Sequence, residues 1–130
     1  MRAVDTNLIV RIFAEDDSEQ ADIAQSTLAA DSVFLPKTVM LEFEWVMRSV
    51  YRKPTAAIAA AIDRMLETAN VQVEDQPSVM RAVAWFRQGM DFADALHLAS
   101  SGHVDSFVTF DVDLRRLAAR LSVKPPVVAP

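Results

Sequence analysis

The stretch "MRAVDTNLIVRIF" (residues 1–13) joins a short apolar strand to a helix, and a carboxylate stands at the junction. We predict a strand over residues 2–5 and a helix from about Thr6 to Phe13. Aspartate is a poor strand residue, and a buried carboxylate is costly unless a partner compensates it. Asp5 therefore has two interpretations: it caps the following helix, or it binds a cation.

The same alternation of short β-like runs and longer helical runs continues along the chain. We predict further strands over residues 32–36, 70–74, 105–110 and 123–129, and helices over about 17–30 (opened by Asp17), 36–50, 54–69, 77–89, 91–102 (ended by Gly102) and 111–121. This alternation indicates a mostly parallel, helix-covered sheet of about five strands. We therefore expect a single three-layer α/β/α domain over residues 1–130.

Composition narrows the class of protein. The chain has 130 residues, 52% of them hydrophobic, no Cys, a net charge of −5 and a pI of about 4.9. Without Cys there is no disulfide, no thiolate catalysis and no Cys-ligated zinc. No apolar run has the length of a membrane span, and the N-terminus lacks a signal-peptide layout. We expect a cytoplasmic protein that does not enter a membrane, and the acidic balance disfavours bulk nucleic-acid binding.

Two aspartates follow predicted strands directly. Asp5 ends the first strand, and Asp111 comes after "FVTF". Because ligands bind beyond the carboxyl ends of parallel strands, both acids belong to one functional edge. Each also has a simpler interpretation, since Asp111 suits the N-cap of the last helix and Asp113 suits its first turn.

Two glutamates on the helix 36–50 are predicted to differ in role. Residues three and four places from Glu42 are largely apolar, so we expect Glu42 to point inward. Glu44 has Arg48 four residues on, which is the favourable orientation for an exposed helix pair. An inward Glu42 without a cationic partner costs several kcal/mol by order of magnitude, and a divalent cation would compensate it.

The segment "GMDFADALHLA" supplies two more acids. Asp91 suits an N-cap, and Asp94 occupies the third helical position, where an acid can bond back to the cap. A capping pair and a ligand pair are equally consistent with this local pattern. His97 lies one turn beyond Asp94, but oxygen-ligated cations rarely need imidazole, so we do not assign it as a ligand.

Four acids from four separate elements can meet at one sheet edge: Asp5, Glu42, Asp94 and Asp111. Unpaired carboxylates about 3–6 Å apart repel and raise one another's pKa. Such a cluster is tolerable when it holds Mg²⁺ or Mn²⁺. The chain lacks a Gly-rich phosphate loop, HExxH and GxSxG, so metal-assisted hydrolysis of a phosphodiester is the chemistry that these residues favour.

Four segments in this order resemble one family: "VDTNLIVRIF", "LEFEWVMRSVY", "DFADALHLASS" and "FVTFDVDL". They are similar to the PIN-domain ribonucleases, and most closely to the VapC-type toxins of bacterial toxin–antitoxin pairs. The resemblance covers essentially the whole chain. It implies a PIN-like fold and a metal-dependent endoribonuclease.

The resemblance also implies residue roles. Asp5 and Asp94 correspond to the main Mg²⁺ ligands, Glu42 to the third acid and Asp111 to a fourth, more variable one. The residues in supporting roles are Thr6, Asn7 and Thr109, which resemble polar groups that hold ligands or water, and Asp91 and Asp113, which are possible auxiliary acids.

Partners follow from the same resemblance. It implies a structured RNA substrate such as tRNA or rRNA, a cognate antitoxin that occupies the acidic groove, and a homodimer. The sequence gives little indication of a basic surface on which RNA could bind. Arg52 and Lys53 are our candidates for phosphate contacts. Two alternatives stay open: a phospho-receiver-like signalling domain, and a PIN-type interaction domain without catalytic activity.

Overall fold

Parallel strand pairing organises the sheets of the computed structural model, which describes residues 1–14 and 19–130. The strands β1 (Arg2–Ala3), β2 (Val33–Leu35) and β3 (Val71–Val73) form a sheet in the order β1-β2-β3. The strands β4 (Phe107–Val108) and β5 (Val127–Val128) form a second parallel pair. The chain divides into two compact units, Met1–Gln76 and Pro77–Pro130, which are described in turn.

Four helices accompany the first sheet: α1 (Thr6–Phe13), α2 (Glu19–Ala30), α3 (Lys37–Ser49) and α4 (Thr55–Glu67). Pro36 and Pro54 stand directly before α3 and α4 with extended backbones. Proline is tolerated there because the first helical N–H groups have no partner within the helix. These two helix starts are therefore readable from the sequence.

The core of the first unit lies between its sheet and helices. Its fully buried side chains come from every third or fourth position of the helices and from alternate positions of β2: Ile9, Val33, Leu35, Met40, Phe43, Ile58 and Ile62. The rings of Phe13 and Phe43 meet edge to face with centroids 5.9 Å apart. This geometry suits the ring quadrupoles and fixes α1 against α3.

One carboxylate is buried in that core. The inward face of α3 is formed by Met40, Phe43, Glu44 and Met47, and Glu44 is only 2% exposed. Arg48 donates from Nε to Glu44 Oε2 at 2.7 Å. The predicted Glu44–Arg48 pair therefore exists, but the prediction that it is an exposed pair was wrong on the glutamate side.

The second unit contains α5 (Gln76–Arg87), α6 (Phe92–Ala99) and α7 (Val112–Arg120). Phe86 and Phe92 meet edge to face with centroids 5.3 Å apart. The carbonyl of Ala99, at the end of α6, accepts from Ser78 Oγ and from Arg81 Nη2, both at 3.1 Å. These side chains satisfy a carbonyl that has no helical partner and hold α6 against α5.

The α/β class and the parallel pairing predicted from the sequence are confirmed, and α1 has the predicted bounds. The five strands are divided between the two sheets instead of forming one, and β4 and β5 are shorter than predicted. Helix α6 ends at Ala99 because Ser100 is its C-cap, so the prediction that Gly102 terminates it was wrong. Asp17, the predicted cap of α2, lies outside the described residues.

The single-domain organisation remains a prediction. In the described part of the chain, none of the helices combines the length and the apolar character needed to cross a bilayer.

The buried Glu44 generates a stability prediction. We expect Arg48→Met to lower the free energy of unfolding by about 1–3 kcal/mol, because a buried charged acceptor loses its donor. Methionine keeps an apolar stem like that of arginine, so the loss reports the charge. Urea denaturation measures it. The exposed Arg116→Met is the matched control and should change the free energy by less than about 0.5 kcal/mol. Equal effects of the two variants would contradict the role of the pair.

Candidate active site

Asp5 follows β1 and precedes α1, and it performs the capping role. Its backbone is extended, with φ −89° and ψ 175°, and its Oδ1 accepts from the N–H of Leu8 at 3.1 Å. Val4 donates to the carbonyl of Phe34 at 3.3 Å, which holds the strand end in the sheet. Capping occupies Oδ1 and fixes the orientation of the carboxylate, so capping and cation binding are compatible.

The residues after Asp5 occupy different environments. Thr6 is buried, whereas Asn7 is exposed on the first turn of α1. Their supporting roles remain predictions.

Glu42 lies on the surface of α3, so the prediction that it points inward was wrong. The apolar residues Met40, Phe43 and Met47 define the buried face, and Glu44 lies within it. Glu42 projects from another face, on which Trp45 is also exposed. Because Glu42 is exposed, the cost of burying its charge no longer argues for a cation at this residue. Its assignment as a metal ligand remains a prediction.

Asp91 and Asp94 lie at the start of α6. Asp91 caps the helix, because its Oδ2 accepts from the N–H of Asp94 at 3.2 Å. Asp94 is half-buried on the first turn. Its pKa is raised above the usual 3.8, first by burial and then by the charges of Asp91 and Asp111, against a smaller opposing effect of His97.

Asp111 caps α7 in a small hydrogen-bonded turn. Its Oδ1 accepts from the N–H of Leu114 at 3.0 Å, and its own N–H donates to Thr109 Oγ1 at 3.0 Å. Arg115 Nη1 donates to the carbonyl of Thr109 at 2.8 Å. Thr109 therefore supports Asp111 directly, and Asp113 is exposed in the first turn of α7.

A polar cluster at the carboxyl ends of β2 and β3 was missed by the sequence interpretation. Glu74 Oε1 accepts from the N–H of Lys37 at 2.9 Å and so caps α3, which Pro36 cannot do with its own side chain. Lys37 Nζ lies 3.1 Å from Asp75 Oδ2. The sequence signal for Lys37 is its position directly after a strand and Pro36.

The structure brings three predicted acids of the second unit into electrostatic contact, since the charges of Asp91 and Asp111 both act on Asp94. Asp5 and Glu42 belong to the first unit. Within residues 1–14 and 19–130, no group of three or more His, Cys, Asp or Glu side chains is arranged to hold a metal ion. The convergence of all four acids on one ion therefore remains a prediction.

The chemistry of the donor set fits a hard divalent cation. All the candidate ligands are carboxylates, and the chain has no Cys. Capping uses one oxygen of Asp5 and one of Asp111, and Mg²⁺ or Mn²⁺ prefers oxygen donors of this kind. The pKa of Asp94 is raised first by burial and then by the nearby charges of Asp91 and Asp111.

The predicted phosphate contacts lie in the loop between α3 and α4. Arg52 is exposed and has a φ of 53°, the left-handed region that residues other than glycine rarely adopt. Lys53 is half-buried, and its N–H donates to the carbonyl of Met47 at 2.9 Å. Contact of either residue with RNA remains a prediction.

The sequence model of the PIN domain family matches residues 2–120, which is most of the chain and includes every candidate acid. The chain belongs to the PIN domain family. PIN domains form a superfamily of nucleases that generally use divalent metal ions, so the family supports a hydrolase acting on nucleic acid. No curated protein and no solved structure gave a significant match to the chain.

Membership of the PIN family decides against the phospho-receiver alternative. In addition, β2, the central strand of the first sheet, ends in Leu35-Pro36 and offers no aspartate to phosphorylate. Family membership by itself is also consistent with the other alternative, a PIN-type interaction domain without catalytic activity.

The raised pKa of Asp94 generates a second prediction, for protein kept in EDTA. A carboxyl whose pKa is higher in the folded than in the unfolded state makes the folded protein less stable as the pH rises above 3.8. Asp94→Asn should therefore raise the melting temperature at pH 7 by a few degrees at most. The difference should vanish near pH 3. Thermal melts at both pH values measure the difference, and a lower melting temperature of Asp94→Asn than of the wild type at pH 7 would contradict the prediction.

Proposed function

We propose that the chain is a Mg²⁺- or Mn²⁺-dependent endoribonuclease and the toxin of a toxin–antitoxin pair. The observation that carries the proposal comes from the helix N-termini of this PIN-family chain. Asp5 and Asp111 each use one carboxylate oxygen for capping and keep the other oxygen for a further contact. Carboxylates fixed in this way are suited to bind a cation at little entropic cost.

Four acids are proposed as metal ligands: Asp5, Glu42, Asp94 and Asp111. When bound, the ion supplies a water of lowered pKa and stabilises charge on the phosphate. The protein contributes orientation. The first turns of α1 and α7 fix Asp5 and Asp111, and the cap from Asp91 fixes the first turn of α6, which carries Asp94.

Supporting residues act on these ligands. Thr109 holds the backbone of Asp111 through its hydroxyl, and Asp91 fixes the first turn that carries Asp94. Outer contacts of this kind orient ligands and typically affect metal affinity or activity 10- to 100-fold, by order of magnitude. We propose the same kind of role for Thr6, Asn7 and Asp113.

The proposed substrate is RNA with single-stranded regions, such as tRNA or rRNA. Arg52 and Lys53 are proposed to contact its phosphates, since both follow α3, the helix that carries Glu42. We further propose that the protein acts in the cytoplasm as a homodimer and that a cognate antitoxin covers the acidic groove. The similarity of the four sequence segments to VapC-type toxins supports these proposals.

Cleavage of RNA is the direct test. In Mg²⁺, the wild-type protein should create new 5′ ends at defined positions in purified tRNA or rRNA, measured by sequencing of RNA ends. Asp5→Asn and Asp94→Asn should each lower the cleavage rate by at least about 100-fold, the upper end of what removal of an outer contact does. Asparagine is as good an N-cap as aspartate, so Asp5→Asn keeps the α1 cap.

Asp105→Asn is the matched control, because Asp105 is an exposed acid in the loop before β4 and has no proposed role. It should cleave like the wild type. Unchanged cleavage by a folded Asp5→Asn protein would overturn the ligand assignment. Absence of Mg²⁺-dependent cleavage by the wild type on every RNA tried would favour the interaction-domain alternative.

The toxin role has a separate test in bacteria. Induced expression of the wild-type chain without an antitoxin should fragment tRNA or rRNA and stop growth, because protein synthesis requires these RNAs. Asp94→Asn should be tolerated at the same protein level, whereas Asp105→Asn should stop growth. Growth curves and RNA gels measure both effects. Equal tolerance of the wild type and Asp94→Asn, with cleavage intact in vitro, would contradict the toxin assignment alone.

A further inference from the structure

Phe110 is the most exposed large apolar side chain of the described residues. It is 85% exposed and stands between Thr109 and Asp111. Full exposure of a phenylalanine forgoes the burial free energy that the side chain normally contributes to folding. Its exposure therefore points to a role outside the core of the unit.

The backbone around Phe110 is held rigidly. Thr109 accepts from Arg115 through its carbonyl at 2.8 Å and from the N–H of Asp111 through its hydroxyl at 3.0 Å. Asp111 is itself fixed by its bond from the N–H of Leu114. The backbone that carries the aromatic side chain is therefore held at a defined place, and Phe110 adjoins a proposed metal ligand in the sequence.

A cation lies at the same turn. The guanidinium of Arg115 reaches the carbonyl directly before Phe110, and this bond uses one of its five N–H donors. An exposed aromatic side chain and a guanidinium carried by the same turn suit single-stranded nucleic acid, since the ring stacks on a base and the cation meets a phosphate.

The geometry points to Phe110 as a stacking platform for a nucleobase of single-stranded RNA, with Arg115 facing an adjoining phosphate. This inference rests on the proposed function and deepens it, because it names the group that positions the substrate next to Asp111. Stacking accepts every base, so the contact selects single-stranded over paired RNA and not a particular sequence.

Binding is measured separately from cleavage. The probe is a fluorescein-labelled oligoadenylate in Ca²⁺, which supplies an oxygen-ligated cation, and the readout is anisotropy. Phe110→Ala should weaken binding about 5- to 150-fold, the range for loss of one stacked base. Phe110→Trp should keep or improve the affinity. Phe110→Leu should bind nearly as weakly as Phe110→Ala, because leucine is apolar but offers no π face.

Two controls separate stacking from other effects. Met80→Ala removes another exposed apolar side chain of the second unit, 55% exposed on α5, and should bind like the wild type. An oligonucleotide of abasic sites should bind the wild type and Phe110→Ala equally. Because Phe110 is exposed, its variants should unfold at the temperature of the wild type.

The possible outcomes are distinct. Wild-type affinity in folded Phe110→Ala or in Phe110→Leu would overturn the inference, the latter by indicating simple apolar contact. A change from dimer to monomer in Phe110→Ala without loss of RNA binding would overturn it in favour of a protein interface. If the wild type cleaves no RNA but Phe110→Ala still loses base-dependent binding, the proposed hydrolysis fails and the stacking role stands.

Discussion

The hydrogen bond that an aspartate carboxylate accepts from the N–H groups of a helix N-terminus is the constraint on which the candidate site depends. It occurs at Asp5, Asp91 and Asp111, each of which caps the helix that follows it. From the sequence alone, capping and cation binding are competing explanations for Asp5. One carboxylate can do both, because the cap uses one oxygen and leaves the other. In the proposed site, capping orients the ligand oxygen before an ion binds.

Capping also stabilises the negative charge of several of these acids. Helix N-termini carry partial positive charge that stabilises carboxylates. That stabilisation is incomplete at Asp94, whose pKa remains raised by burial and by Asp91 and Asp111. Glu44 and Asp75, by contrast, are paired with the protein cations Arg48 and Lys37. These ion pairs give Glu44 and Asp75 structural roles and distinguish them from the aspartates that cap helices.

Much of the fold could be predicted because single residues carry strong local signals. Asp5 marks the start of α1, and Pro36 and Pro54 mark α3 and α4. The ends of the strands were less predictable, because the length of a strand depends on its pairing with neighbouring strands and not on its composition. The end of α6 was misplaced at Gly102 because the carbonyl of Ala99 accepts from Ser78 and Arg81 on α5, which the local sequence does not reveal.

The candidate site was predictable in its residue types but not in its environments. The burial of Glu44 instead of Glu42 follows from the spacing of Met40, Phe43 and Met47, which was a readable signal. The coupling of Asp94 to Asp111 joins residues of different helices and needs the tertiary structure. The exposure of Phe110 is of the same kind, since an apolar run such as "FVTF" favours burial.

Binding of Mn²⁺ followed by NMR of the ¹⁵N-labelled protein tests the central claim most directly, because paramagnetic broadening reports proximity to the ion. Substoichiometric Mn²⁺ should first broaden the amides next to Asp5, Glu42, Asp94 and Asp111, and excess Mg²⁺ should restore them. Broadening confined to the exposed acids at the start of α2, Glu19 and Asp22, or no broadening at all, would contradict the account.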